Sequence, residues 1–189
     1  MKKRLFVAIE LPDNFKSPLA SHQLALIKDL EIQPRLTAKE NLHITVSFLD
    51  TVEESLITGL TEELQRVSKF IKPFTLQYSY TTLGPPGRFP SMIWAVFDKH
   101  TAFTNLMRMI NGAVVKYLKI HKQPVFISSH LEPVPHVTLA RLKKNLPPAQ
   151  IDFAPFSVKD MPVASFTLMH SQLSSNGPAY TALSTFKLK

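Results

Sequence analysis

Two short segments, one in each half of the chain, share a pattern that limits what it can fold into. Leu42-His43-Ile44-Thr45-Val46 and Pro135-His136-Val137-Thr138-Leu139 both read apolar-or-Pro, His, β-branched, Thr, apolar. Side chains on a strand alternate between faces, so His and Thr share one face while the residue between them packs into the core. The bare His-x-Thr motif is not rare. Seven histidines and 14 threonines in 189 residues give about half a match by chance. The matched flanks and the recurrence once per half raise the pair above coincidence. They predict a duplicated strand-bearing unit with a site between the copies.

The remaining chain supports a mixed α and β organisation. Leu5 to Leu11 reads as a strand apolar on both faces, broken by Pro12. Leu19, Leu26, Ile27 and Leu30 recur at helical spacing within Phe15 to Leu30. Leu42 to Asp50 alternates, with Leu42, Ile44, Val46 and Phe48 on one side and His43, Thr45 and Ser47 on the other. A helix is predicted over Glu53 to Phe70 and a strand over Phe74 to Leu83. The Gly84 to Pro90 segment is a loop by composition. A strand over Ser91 to Asp98 holds Trp94. Phe103, Met107, Ile110, Val114 and Tyr117 give the clearest helical repeat. His121 to Pro135 has no clear pattern. Val137 to Leu142 is a strand, Asn145 to Pro148 is a break, and Phe166 to Gln172 with Ala179 to Leu188 predict a closing hairpin. No linker separates two domains, so residues 1–189 are expected to form one domain.

Composition narrows the chemistry. Hydrophobic residues are 44% and charged residues 19%, which is a globular balance. The net charge of +8 favours polyanions as partners. With no cysteine there is no disulfide framework, thiolate metal site or thiol nucleophile, and a reducing cytoplasm is the expected location. No segment reads as a membrane span.

Displacement at phosphorus needs a proton taken from the attacking oxygen and another delivered to the leaving oxygen. Two histidines can do both near neutral pH. Threonine hydroxyls can donate to the negative non-bridging oxygens. A zinc site needs further ligands, which neither motif supplies. The sequence holds no G-x-S-x-G elbow, Walker A loop or dinucleotide glycine pattern. His130 and His170 lack the threonine partner.

With these motifs the chain resembles the 2H phosphoesterases, defined by two H-x-T-x motifs, and within them the RNA 2′,3′-cyclic phosphodiesterases once described as 2′-5′ RNA ligases. Arg4-Leu5-Phe6-Val7-Ala8-Ile9 is similar to the family's opening strand, and Glu40 to Leu49 to its first motif segment. Gly87-Arg88-Phe89-Pro90 with Trp94 is similar to its central loop and strand, and Pro135 to Arg141 to its second motif. Ser171-Gln172-Leu173, Gly177 and Tyr180 are similar to its closing hairpin. The chain departs where Ser47 replaces a basic residue and Asp50 a glycine.

The resemblance implies an α+β fold of two pseudo-symmetric lobes, each an antiparallel sheet with helices outside, and an active-site cleft between the sheets. It implies hydrolysis of RNA 2′,3′-cyclic phosphate ends to a 2′-phosphate. In that reaction His43 is the proton donor, His136 the proton acceptor, and Thr45 and Thr138 hold the phosphate. No metal or cofactor is implied. The expected partners are RNA or tRNA fragments with cyclic phosphate ends, met by a monomer with no membrane. Arg141, Phe89, Arg88 and Tyr180 are candidate substrate contacts. Strict alternation sets Arg141 on the face opposite His136, so its role requires a twist or strand end there. Phe89 reads rather as a loop residue tucked into the core. Rival readings are a 2′-5′ RNA ligase or phosphodiesterase on the same site, and a non-enzymatic RNA-binding module.

Overall fold

A computed structural model of the chain describes residues 1–26, 34–87, 89–125, 133–142, 153, 156–158, 160–174 and 177–189, with no side-chain placement at 173 and 174. Arg88, His130 and the 145–148 break lie outside the described residues.

Ten strands and three α-helices follow one another along the described residues. In chain order they are β1 (Lys2–Glu10), α1 (Asp13–Leu26), β2 (Arg35–Leu36), β3 (His43–Glu53), α2 (Ile57–Ser68), β4 (Phe74–Leu76), β5 (Tyr78–Gly84), β6 (Met92–Phe97), α3 (Thr101–Ile120), β7 (His136–Arg141), β8 (Met161–Val163), β9 (Ser165–Ser174) and β10 (Gly177–Lys187). Eight strands form one antiparallel sheet in the order β10-β9-β1-β3-β7-β6-β5, with β2 paired to β7; β4 and β8 form a small second sheet. The α+β architecture and the closing hairpin are those expected from the sequence.

The two halves of the sheet meet at β3 and β7, where Ile44 opposite Val137 is the registered pair. The first half carries His43 and the second His136. The lobes therefore share one sheet across a thin seam.

One face of this sheet is covered by all three helices. Leu5, Val7 and Ile9 of β1, Ile44 of β3 and Val137 of β7 join Leu19 of α1, Leu64 of α2 and Ile110 of α3 in a single buried core. Gln23 of α1 ties the helical layer to the second motif by donating to the carbonyls of Leu139 (2.5 Å) and Thr37 (2.9 Å). The opposite face has its own small cluster of Phe6, Ala8 and Met169, with Tyr180 packed against it. That explains why β1 is apolar on both faces, as its sequence predicts.

Three departures from the sequence reading have local causes. The strand expected over Phe74 to Leu83 is two strands in different sheets, separated at Gln77. The helix expected from Glu53 begins at Ile57, because β3 runs on to Glu53 and a turn of 3-10 helix follows. Third, β3 does not alternate strictly. Its register to β1 slips twice, past Val46 and past Leu49. Each slip is a bulge that turns the following side chains to the other face. Ser47 is buried on the helical side, donating to Asn111 Oδ1 at 2.6 Å, while Phe48 is exposed on the histidine side. At the second bulge Asp50 has φ 56°, the left-handed conformation that glycine adopts most readily and aspartate tolerates.

Candidate active site

The seam positions the two motifs against each other. Side chains of Ile44 and Val137 are fully buried below the sheet. One residue along each antiparallel strand from that pair, His43 comes across from Thr138 and Thr45 across from His136. The four side chains form a diagonal square on the face away from the helices, each partly exposed.

His43 is held on both nitrogens. Its Nδ1 lies 2.7 Å from the Asn41 carbonyl, and its Nε2 lies 3.0 Å from Thr45 Oγ1. A carbonyl only accepts, so Nδ1 carries the proton and Nε2 of the neutral ring accepts from the threonine hydroxyl. The Asn41 side chain donates to the Pro178 carbonyl at 2.8 Å, which ties this turn to β10. Phe6 and Tyr180 flank the imidazole at centroid distances of 5.1 and 5.2 Å, Tyr180 edge-on. Burial among these rings lowers the pKa of His43; the Asn41 carbonyl opposes this, while the charges of His136, Lys16 and Arg141 add to it.

His136 is held differently. Its Nδ1 donates to the Val134 carbonyl at 2.8 Å, which makes Nε2 the acceptor nitrogen of the neutral ring. Its ring stacks on Trp94, with centroids 3.8 Å apart and planes 21° apart. Strand β6 lies between β5 and β7, so the indole is held between His136 and the backbone of Gly84. A Cβ at Gly84 would stand 2.2 Å from Trp94 Cδ2. Only glycine leaves the indole its place. The Trp94 Nε1 is buried without a hydrogen-bond partner among the described residues, a cost of about 1–3 kcal/mol.

Arg141 is on the same face as the histidines. The β6–β7 register shifts between Ile93, opposite Ala140, and Trp94, opposite Thr138, so Leu139 is an extra residue in β7. Leu139 and Ala140 both enter the core, and Arg141 turns back toward the site. The Met92 sulfur confirms this, lying 3.9 Å from Thr138 Oγ1 and 3.6 Å from Arg141 Nη1. This bulge supplies the twist that strict alternation lacks.

The other expected contacts divide. Tyr180 reaches the site through His43 and Phe6. Phe89 is 55% exposed, which overturns its reading as a core residue. Phe6, Phe48, Trp94 and Arg35 were not singled out by the sequence. Phe6 was hidden by the uniformly apolar β1, and the others depend on strand register. His22 is a structural residue. It is buried, stacked on Phe156 at 4.2 Å and bonded to Thr81 Oγ1 at 3.2 Å, and burial lowers its pKa. His100 caps α3 by accepting from the Ala102 amide. Among the described residues, no group of three His, Asp or Glu side chains is gathered to hold a metal ion, and no helix is long and apolar enough to cross a membrane.

The two His-Thr pairs thus lie diagonally on one antiparallel face. The family model described as the 2′-5′ RNA ligase superfamily matches residues 15–173, and the chain belongs to that superfamily. Among curated proteins it is similar to the RNA 2′,3′-cyclic phosphodiesterase of Methanocaldococcus jannaschii, 29% identical over 95% of this chain and 98% of that one. It is also similar to the protein of the same name from Methanothermobacter thermautotrophicus, 24% identical over the whole of both. Among solved structures, E. coli LigT complexed with 3′-AMP shares the fold at a TM-score of 0.81 and 22% identity, covering 100% of this chain and 99% of that one. TT0787 of Thermus thermophilus also superposes at 0.81, with 25% identity over 98% and 97%.

Proposed function

We propose that the protein hydrolyses ribose 2′,3′-cyclic phosphate at RNA ends to a 2′-phosphate, by acid–base catalysis between His43 and His136 without a metal. The observation that carries this reading is the cross-strand register that sets each histidine opposite the other motif's threonine. Both rings have Nδ1 committed to a carbonyl, so both keep Nε2 for proton transfer.

Water attacks phosphorus and the bond to the 3′ oxygen breaks. His136 Nε2 takes the proton from water, and His43, protonated on Nε2, delivers one to the 3′ oxygen. Burial favours neutral His43 in the free protein, and the negative phosphate draws a proton onto it when substrate arrives. Thr45 exchanges His43 for a non-bridging oxygen, and Thr138 donates to the other. Arg141 meets the phosphate charge, and Tyr180 with Phe6 walls the leaving-oxygen side. Exposed Phe48 and Phe89 offer faces for a base or ribose, and Arg88 precedes Phe89 in the same loop.

With the 5′-hydroxyl of a second RNA end attacking in place of water, its proton passing to His136 and the 3′ oxygen again leaving, the same site would join ends through a 2′-5′ linkage, the reaction in the superfamily's description. The reading makes the chain a single-domain cytoplasmic monomer acting on RNA or tRNA fragments. A cysteine-free, basic sequence and a site complete within one chain favour this.

The test is incubation with an oligonucleotide ending in a 2′,3′-cyclic phosphate, followed by assignment of the product phosphate. A 2′-phosphate is expected. His43→Ala and His136→Ala should each cut kcat by about 10²–10⁴-fold with the fold retained. An alanine variant at either position with near-full rate would sink the assignment.

A further inference from the structure

A second guanidinium faces the site. Strand β2 is only Arg35–Leu36, and it pairs with the end of β7, setting Arg35 opposite Arg141 and Leu36 opposite Ala140. Directly opposed residues on paired strands share a face. Leu36 packs with Ala140 against the core, so Arg35 emerges with Arg141 on the histidine face, and both are exposed. The Arg35 head extends toward the other half of the sheet. Its Nη1 lies 3.8 Å from where a Cβ on Gly177, the first residue of β10, would stand. It thus spans from the half that holds His136 to the hairpin whose Tyr180 abuts His43.

Like charges placed directly opposite each other on a sheet are unfavourable. No acidic side chain among the described residues forms an ion pair with either arginine. Lys16 adds a third positive charge near His43. The described residues offer this cluster no internal counter-charge, and a chain of phosphates outside the protein supplies one.

We propose that Arg35, beside Arg141, forms a subsite for the phosphodiester on the 5′ side of the cyclic end. The protein therefore favours an oligonucleotide terminus over a cyclic mononucleotide. This deepens the functional reading above and rests on it. A single cyclic nucleotide has one phosphate, which the His-Thr square and Arg141 engage. The next phosphate along the strand falls to Arg35, whose planar fork suits two phosphate oxygens at once.

Two measurements test the subsite. The first compares kcat/KM on a cyclic mononucleotide with that on a tetranucleotide ending in the same cyclic phosphate. Arg35→Gln should lower the oligonucleotide's advantage about tenfold, and Lys119→Gln, at the far end of α3, should leave the advantage as it is. The second uses no turnover: anisotropy of a labelled tetranucleotide ending in a 2′-phosphate, titrated over a range of salt. Arg35→Gln should reduce the slope of log affinity against log salt by about 0.7, one phosphate contact to a single strand. Equal losses on both substrates, or an unchanged salt slope, would overturn the subsite. A wild-type protein that binds the tetranucleotide with an Arg35-dependent slope but opens no cyclic phosphate would overturn the catalytic reading instead.

Discussion

Replacing Gly84 with alanine tests the support of His136 from a distance. The added Cβ would stand 2.2 Å from Trp94 Cδ2 and 2.5 Å from both Cε2 and Cε3. Carbon atoms in contact keep about 3.5 Å or more apart, so the indole must retreat by about 1.3 Å. Its other face is already against His136, with the ring centroids 3.8 Å apart. The displacement therefore passes to the imidazole. Overpacking of this kind costs about 1–3 kcal/mol, which for a chain of this size lowers the Tm by about 2–12 °C. A misplacement near 1 Å at a reacting group can cost about 10²-fold in rate. The expected result is a folded Gly84→Ala protein with kcat on a cyclic-phosphate oligonucleotide down by one to two orders of magnitude and KM changed far less. Trp94→Phe in the same background gives the smaller ring room and should recover part of the rate, a coupling that the double-mutant cycle measures. An alanine variant with wild-type Tm and kcat would refute the close approach, and a rate loss that Trp94→Phe does not relieve would refute its transmission through the indole.

Two further outcomes follow from burial of histidines. Because burial lowers the pKa of His43, and a proton donor must be charged, kcat/KM should already be falling with rising pH below about 6.5, and the profile should be unchanged by EDTA; an alkaline limb above the ordinary histidine range, or loss of activity to chelator, would contradict the assignment. His22 and His43 are both lowered in the folded state, so the unfolded chain binds more protons. Stability should therefore be intact above about pH 6.5 and decline as pH falls below it, and His22→Phe should flatten that decline in a Tm series.

How much of this was legible in the sequence depends on which interactions are local. His43, Thr45, His136 and Thr138 could be read because alternation along one strand settles which side chains share a face. Strict alternation puts Ser47 and Phe48 on the wrong sides and turns Arg141 away from the site, for one reason. A bulge is set by the pairing partner, and a strand read alone does not show where its neighbour skips a residue. The bulges at Val46 and Leu139 are defined by register to β1 and β6. Asp50 carries a trace of this, since aspartate tolerates the left-handed backbone it adopts at the second bulge. Arg35 sits in a two-residue strand with no periodicity to detect. Trp94 was visible as a strand residue, but its stack on His136 spans 42 positions of sequence and exists only once β6 lies beside β7.

The thin seam between the halves has a consequence for the spacing of acid and base. Each imidazole is anchored to its own half, His43 to Asn41 and His136 to Val134. Within the sheet, the registered pair between the halves is Ile44 and Val137, whose side chains are buried completely on the far side. Those two aliphatic groups act as a pivot of a pair of callipers whose tips are the ring nitrogens proposed to move protons. On the proposed function, the gauge of the site is thus in part a packing quantity, open to adjustment by a methylene at the pivot.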